Sequence, residues 1–249
     1  QGCPLSPYLF TLVMSVIFHD VDKHIRDEHP EFNDDQLLKF NRLLYADDTL
    51  LMATNLSDIE ALLHAVERIS RTYDMKLNRS KCVAIILNQK YKGQQTVKFL
   101  NGEEVPNKDS AKYLGGNVNN KGDVHQEVSS RIATALVTAK KLREIWNNTN
   151  TSRKWKARVY SAVILTQLTY GLETAPLTQA DNQRLDTFYY RGIRAILGVK
   201  HSYWSRVSNA ELLNRLNEGL EEGKPKYITV SQRLRNNRVK LFAHYVRAL

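Results

Sequence analysis

The first half of the chain alternates between helix-like and strand-like patterns of apolar residues. The pair Ser6-Pro7 predicts a helix start, because serine can cap free amides and proline is tolerated at the first helical position. The stretch 27–36, with its proline and its acidic residues, predicts a loop. Between the helix start and this loop, apolar residues recur at spacings of three and four. This spacing predicts a core helix with the face Phe10, Val13, Met14, Ile17 and Val21.

The next patterns predict a hairpin, a second helix and a further strand pair. Two short apolar runs flank Asp47-Asp48, as expected for a β-hairpin with carboxylates at its turn. The sequence from Ser57 to Glu60 matches a capping box. Strands are predicted at 83–87 and 97–100, followed by a turn at Asn101-Gly102. The helix behind the capping box would bury Ile59, Leu62, Leu63, Val66, Ile69 and Tyr73.

Only helical patterns follow the pair Gly115-Gly116. Helix starts are predicted at Asp123, Ser152, Thr178 and Ser208, because each side chain can accept hydrogen bonds from first-turn amides. The third of these helices should end at Gly198, and Lys224-Pro225 should precede a basic last helix. The helix after Asp123 carries the apolar stripe Val128, Ile132, Ala135, Leu136, Ala139, Leu142 and Ile145. We therefore predict an α+β fold, with a sheet-containing region at 1–116 and a helical bundle at 117–249.

Composition excludes several classes of protein. The 249 residues are 42% hydrophobic and 25% charged, which excludes a disordered, collagen-like or disulfide-scaffold chain. The two cysteines, Cys3 and Cys82, are interpreted as reduced thiols of an intracellular protein, in the nucleus or the cytoplasm. The longest apolar stretch, residues 8–18, is too short to cross a bilayer, so no membrane partner is expected.

The net charge of +10 is unevenly distributed along the chain. Residues 1–116 hold 14 Lys+Arg and 16 Asp+Glu, a net charge of −2, whereas residues 117–249 hold 22 and 10, a net charge of +12. This asymmetry indicates a region that grips a polyanion beside a region that holds cations. A solvated basic surface is the alternative interpretation.

Asp47-Asp48 is the sharpest candidate for chemistry. Two carboxylates inside an apolar hairpin cost stability unless the turn is exposed or they bind a cation. Hard cations such as Mg²⁺ are held in proteins by carboxylates together with substrate phosphates. The dipeptide is also common in ordinary turns, so the pair alone does not decide between these interpretations.

Four motifs in order along the chain resemble those of reverse transcriptases. They are Gln1-Gly2-Cys3-Pro4-Leu5-Ser6-Pro7, Tyr45-Ala46-Asp47-Asp48, Leu77-Asn78-Arg79-Ser80-Lys81 and Tyr113-Leu114-Gly115. Segments at 170–173, 185–188 and 194–198 are similar to the thumb of non-LTR (LINE-type) retrotransposon polymerases. The resemblance extends from residue 1 to about residue 200. It implies a partial polymerase palm at 1–116 and a thumb and connection region at 117–249.

The resemblance implies a polymerase that adds dNTPs to a primer 3′-hydroxyl on an RNA template, with Mg²⁺, or Mn²⁺ in its place. Its partners would be template RNA, primer DNA and the RNA–DNA hybrid. Asp47 and Asp48 would be metal ligands, and Lys81 would act on the leaving pyrophosphate. The nucleotide and template pocket would include Gln1, Gly2, Tyr45 and Ala46. The primer strand would be positioned by Tyr113, Leu114 and Gly115.

The basic half would then bind the nucleic-acid backbone. Phosphate contacts are predicted for Lys140, Lys141, Arg143, Arg153, Lys154, Lys156 and Arg158. Trp146 and Trp155 bracket this cluster, where they would either stack on nucleic acid or pack in the core.

One part of the family pattern is missing from these residues. Reverse transcriptases take a third metal-binding carboxylate, and the fingers, from the segment N-terminal to the Gln-Gly motif. Asp20 and Asp22 follow that motif and match no other, so we do not expect them to substitute. We therefore expect residues 1–249 alone to lack polymerase activity. Two alternatives stay open, a non-catalytic nucleic-acid-binding remnant and a group II intron maturase-like reverse transcriptase.

Overall fold

A computed structural model describes residues 3–28, 42–87, 96–218 and 226–248. The chain divides into two compact units, the first formed by residues 1–111 with 119–121 and the second by 112–118 with 122–249. Small sheets and helices are both present, which confirms the predicted α+β class. Their assignment to a palm and a thumb, with the boundary after residue 116, stays a prediction.

The described residues of the first unit form two helices, a hairpin and a short 3₁₀ turn. In chain order these are α1 (Ser6–Glu28), β1 (Arg42–Tyr45), β2 (Asp48–Leu51), α2 (Leu56–Thr72) and the 3₁₀ turn Arg79–Lys81. Helices α1 and α2 pack against each other through a buried cluster made of Ile17, Phe18, Val21, Ile25, Leu62, Ala65 and Val66. A smaller cluster of Val97, Phe99 and Val105 packs against partly buried residues of α2.

Helix α1 is a core helix only in its C-terminal half. Ile17 and Val21 are buried as predicted, but Phe10 and Val13 are 37% and 41% exposed. The helix also continues through Asp27 and Glu28, which were predicted to start a loop, and the rest of that loop lies outside the described residues. The exposed apolar residues in and just before its N-terminal half are Leu5, Tyr8, Leu9, Phe10, Leu12, Val13 and Val16.

Two further predictions for the first unit are corrected. Helix α2 begins at Leu56 and is capped by Asn55, whose side chain accepts from Asp58 N, so the capping box predicted at Ser57 is wrong by two positions. The strands predicted at 83–87 and 97–100 are replaced by isolated bridges at Ala84 and Lys98. The turn after them is confirmed, because Gly102 adopts φ +83° and its N–H donates to Phe99 O.

A second hairpin follows, formed by β3 (Ser110–Tyr113) and β4 (Gly116–Asn119), and the division between the units passes through it. All further regular elements in the described part of the second unit are helices. They are α3 (His125–Lys141), α4 (Arg143–Asn147), α5 (Arg153–Val159), a π-helical segment (Tyr160–Leu165), α6 (Thr166–Thr169), α7 (Gln179–Leu197), α8 (Ser202–Ser205), α9 (Asn209–Asn217) and α10 (Val230–Ala248).

The helix boundaries of the second unit largely follow the predicted caps. Ser152 and Ser208 accept from amides in the first turns of their helices, and Thr178 forms a reciprocal capping box with Asp181. Gly198 ends α7 with φ +69°. Pro225 and the residue before it lie outside the described residues.

The helix predicted from Asp123 to Ile145 differs in three respects. Its N-cap residue is Val124 rather than Asp123, although Asp123 accepts from His125 N at 3.2 Å. The helix breaks at Leu142, so that Ile145 lies in α4, and Leu136 is 45% exposed rather than buried. The core that the helices of this unit share includes Val128, Ala135, Tyr160, Ile164, Leu168, Leu185, Tyr189, Ile193, Leu212 and Leu234. Among the described residues, no helix is both long enough and apolar enough to cross a membrane.

Gly192 makes room for Tyr160 in this core. A methyl group built on Gly192 would lie 2.2 Å from the Tyr160 hydroxyl and 2.3 Å from the ring carbon that carries it. Burial raises the pKa of this phenol, and within the described residues its hydroxyl has no hydrogen-bond partner. The ring is therefore held by packing, with the backbone of α7 directly against it.

We predict that Gly192→Ala destabilises the second unit by about 1–3 kcal/mol, because the core would have to shift around the new methyl group. The sign of the change in unfolding free energy distinguishes packing from helix propensity, since propensity alone would make this substitution stabilising by about 1 kcal/mol. Chemical denaturation followed by circular dichroism measures the change. The control is Ala195→Gly at an exposed position of α7, which should cost only the propensity difference. A stabilised Gly192→Ala variant would contradict the packing described here.

Candidate functional site

The predicted carboxylate pair lies at the tip of the β1–β2 hairpin. Tyr45 pairs with Asp48 across the ladder, which leaves Ala46 and Asp47 as the two turn residues. Asp47 and Asp48 are both exposed, so the hairpin with carboxylates at its tip is confirmed. Asp48 is the first residue of β2 rather than a turn residue.

The backbone at this tip is strained. Ala46 adopts φ +51°, the left-handed region that a residue with a Cβ rarely occupies. This conformation costs about 1 kcal/mol or more relative to glycine. The strained residue directly precedes the two carboxylates. Tyr45, which precedes Ala46, is 63% exposed.

The hairpin is fastened to α1 by an ion pair. Arg42, the first residue of β1, donates from its two terminal nitrogens to the two carboxylate oxygens of Asp22, at 2.5 and 2.6 Å. Its guanidinium carbon also lies 4.9 Å from the centre of the Phe18 ring. Both charged side chains are about three-quarters buried, so the pair is screened only weakly by solvent. Arg42 thus fixes the strand that leads to Asp47.

The nearby acids Asp20 and Asp22 are occupied by structural contacts. Asp22 pairs with Arg42, and Asp20 accepts a hydrogen bond from the hydroxyl of Tyr73 at 2.5 Å. This bond raises the pKa of the Tyr73 phenol. The expectation that neither acid joins Asp47 is consistent with these partners.

The donors at the tip suit a hard cation. Two carboxylates presented to solvent at one hairpin tip, Asp47 in the turn and Asp48 at the start of β2, match the oxygen ligands that Mg²⁺ prefers. Across the described ranges, no cluster of three or more His, Cys, Asp or Glu side chains could hold a metal. Asp47 and Asp48 therefore fit part of a metal site.

Lys81 is exposed at the end of a rigid turn. The 3₁₀ turn Arg79–Lys81 is anchored by Arg79, which donates to the buried Glu67 carboxylate at 2.5 and 3.2 Å and to Glu103 at 3.4 Å. The Arg79 guanidinium lies 5.0 Å from the centre of the Phe99 ring. The backbone that presents Lys81 is thus held by its neighbour two residues earlier.

Glu67 is the most deeply buried acid among the described residues of the first unit. Burial raises the pKa of this carboxyl, but hydrogen bonds from Arg79 and from Leu100 N outweigh the burial, and its pKa lies below the ordinary value. The side chain is 4% exposed. The charged form of Glu67 therefore stabilises the fold at neutral pH.

The turn between β3 and β4 is held by residues of its own unit. Leu114 and Gly115 both adopt left-handed conformations, with φ +49° and +78°. Arg131 on α3 donates to Gly115 O at 2.6 Å and to Glu127, and the second oxygen of Glu127 accepts from Asn117 N at 3.0 Å. The Arg131 guanidinium stacks over Tyr170 at 5.1 Å. These contacts fix the turn that carries the Tyr113-Leu114-Gly115 motif.

The predicted backbone contacts divide into six exposed cations and one buried cation. The exposed side chains are Lys140, Lys141, Arg143, Arg153, Lys154 and Arg158. Lys156 is only 7% exposed, and its ammonium donates to Trp146 O at 2.8 Å. This burial argues against the phosphate contact predicted for Lys156, because the charge is used within the core.

The two tryptophans beside these cations have different surroundings. Trp146 donates to Ala139 O at 2.8 Å and meets Tyr160 edge to face, so it packs in the core. Trp155 is 46% exposed.

The residues predicted to line the nucleotide pocket are only partly described. Gln1 and Gly2 lie outside the described residues, and the structure places Tyr45 and Ala46 at the hairpin tip.

Sequence reasoning missed the arginines that hold the functional turns. Arg79 lies inside a recognised motif, but the motif does not reveal that this side chain anchors the turn. Arg42 and Arg131 carried no local signal, because their partners Asp22 and Gly115 lie 20 and 16 residues away. These arginines position the backbone beneath the motif residues.

Comparison with known protein families matches the first part of the chain. A family model described as reverse transcriptase (RNA-dependent DNA polymerase) matches residues 1–118. The matched range includes Asp47, Asp48, Lys81 and the turn at 113–115. No solved structure matches the chain. The resemblance to a reverse transcriptase is thus supported for the part of the chain that carries the hairpin carboxylates.

We predict that Glu67→Gln lowers the free energy of unfolding of the first unit by about 2–4 kcal/mol near neutral pH, since Arg79 would lose its buried partner. The folded-state pKa of Glu67 lies below the ordinary 4.5. The stabilisation is therefore fully present above that pH and is lost as the pH falls through the lowered value.

Hydrogen exchange of the first-unit amides, measured from neutral pH down through the lowered pKa of Glu67, tests the predicted loss of stability. The difference between wild type and Glu67→Gln should shrink on acidification. Asp74→Asn, at an exposed position of the same unit, should leave exchange nearly unchanged. A difference that is independent of pH would contradict the ionised state assigned to Glu67.

Proposed function

We propose that the chain is the C-terminal palm and thumb of a reverse transcriptase from a non-LTR retrotransposon. In the parent protein it would take part in RNA-templated addition of dNTPs to a primer 3′-hydroxyl. One observation carries the proposal, the exposed Asp47 and Asp48 at the tip of the β1–β2 hairpin within residues 1–118 that match the reverse transcriptase family.

Asp47 and Asp48 would hold the divalent metal ions of the reaction, completed by a third carboxylate N-terminal to Gln1. Bound Mg²⁺ would stabilise the negative charge that develops on the attacking and leaving oxygens. The exposed tip suits this use, because primer and nucleotide must approach the carboxylates from solvent. The anchoring of β1 by Arg42 would keep the pair in place before substrate arrives, against the strain at Ala46.

Lys81 would act on the leaving group. The 3′-oxygen of the primer forms a bond to the α-phosphorus of the dNTP, and the bond from that phosphorus to the pyrophosphate oxygen breaks. An exposed ammonium on the turn held by Arg79 would neutralise the departing pyrophosphate or donate a proton to it.

The second unit would bind the RNA–DNA hybrid. Six exposed cations on α3, α4 and α5 supply the charge for contacts to phosphates. The turn Leu114-Gly115, fixed by Arg131, would contact the primer strand. These contacts depend on backbone shape and charge, so they would provide affinity without sequence preference.

Substitution of Asp47 tests the metal assignment. In the parent reading frame that extends upstream of Gln1, Asp47→Asn should reduce DNA synthesis by at least roughly a hundredfold, because a metal ligand supports several kcal/mol of charge stabilisation. Primer extension on an RNA template measures synthesis, and filter binding measures RNA affinity, which should be nearly unchanged. Asp74→Asn is the matched control and should retain synthesis. A fully active Asp47→Asn enzyme would refute the assignment and favour a non-catalytic nucleic-acid-binding protein.

Residues 1–249 alone should not extend a primer, since two carboxylates do not make a complete ligand set for two metals. The assay contains the purified chain, a primer annealed to template RNA, dNTPs and Mg²⁺ or Mn²⁺. The parent protein, assayed in parallel, shows that the substrates are competent. Extension by the 249-residue chain would show that the third ligand lies within it.

A further inference from the structure

Two aromatic side chains on the second unit are presented to solvent. Tyr203 and Trp204 in the short helix α8 are 65% and 76% exposed. Their rings meet edge to face, with centroids 5.1 Å apart and an interplanar angle of 89°. Single exposed rings are common on protein surfaces, whereas two adjacent rings in mutual contact form a larger aromatic surface that a ligand can use. We call Tyr203 and Trp204 the aromatic pair.

The segment that carries the aromatic pair is rigid. Arg194, at the end of α7 and only 8% exposed, donates to Lys200 O at 3.2 Å, to Val207 O at 2.8 Å and to the side chains of Ser205 and Asn209. One buried guanidinium therefore closes the loop at both ends of α8. The rings are held out in a defined orientation, which lowers the entropy cost of binding.

The loop also carries a strong positive charge. No Asp or Glu occurs from residue 187 to residue 210, whereas that stretch includes Arg191, Lys200 and Arg206 besides Arg194. Arg206 lies with its guanidinium carbon 5.6 Å from the centre of the Tyr203 ring, in a left-handed conformation with φ +56°. Exposed cations thus flank exposed rings.

We propose that the aromatic pair is a stacking site for unpaired bases of single-stranded nucleic acid. An anionic backbone would meet Lys200 and Arg206 while a base stacks on the Trp204 ring. Paired bases are already stacked inside a duplex, so only a single strand offers a free base face to the indole. A protein partner that docks through an apolar segment is disfavoured, because the chain on both sides of the two rings, residues 187–210, carries cations and no carboxylate. The site belongs to the second unit and does not rest on the polymerase assignment.

Binding of labelled oligonucleotides to the purified 249-residue chain tests the proposal. Fluorescence anisotropy is measured with a single-stranded oligo(dT), an oligo(rU) and a blunt DNA duplex of equal length, at one fixed salt concentration. Trp204→Ala should weaken binding of the single strands by roughly tenfold, the loss expected for one stacked base. It should change duplex binding less than twofold. Trp204→Phe should retain most of the single-strand affinity, because a ring remains at that position.

Tyr245→Ala is the matched control, since this ring is 62% exposed on α10. It should leave single-strand binding within twofold of wild type, and circular dichroism confirms that each variant is folded. Three results would overturn the proposal. They are unchanged single-strand binding by Trp204→Ala, an equal loss for the duplex, and a change confined to self-association in sedimentation, which would mark the pair as a protein contact.

Discussion

The bidentate ion pair between Arg42 and Asp22 is the contact on which the candidate site depends. A two-stranded hairpin with four residues per strand has little stability of its own. Arg42 connects its first strand to α1 by two parallel hydrogen bonds and by the face of Phe18, a residue of the α1–α2 core. Loss of either partner would leave a charge largely buried without compensation. The orientation of the carboxylate tip is therefore linked to the packing of the first unit.

The same device recurs at three other turns that carry candidate site residues. Arg79 fixes the turn of Lys81, Arg131 fixes the turn at Gly115, and Arg194 closes the loop of the aromatic pair. The planar guanidinium has five donors in a fixed arrangement, so one side chain can satisfy several acceptors that no regular element pairs. Turns built this way are rigid without being buried, which leaves their tips free to meet a ligand.

Sequence patterns predicted those parts of the fold that local chemistry decides. The starts at Ser152, Thr178 and Ser208, the end at Gly198 and the hairpin around Asp47 depend on neighbours within a few residues, and all are confirmed. The exposed face of α1 was missed, since periodicity marks an apolar stripe but not what covers it. The bridges near Ala84 and Lys98 depend on distant pairing. The arginine anchors lay beyond local reasoning for the same reason. The order of the motifs indicated a resemblance to reverse transcriptases, which the family match supports for residues 1–118.

The division into two units has a consequence for spectroscopy. All three tryptophans, Trp146, Trp155 and Trp204, lie in the second unit. Their emission reports on the second unit, with Trp146 packed against Tyr160 in its interior and Trp204 exposed to solvent. The first unit, which holds the α1–α2 core and the carboxylate hairpin, contains no tryptophan. A midpoint from tryptophan emission that differs from the far-ultraviolet midpoint would thus reflect two units that melt separately, rather than a partly folded intermediate of one.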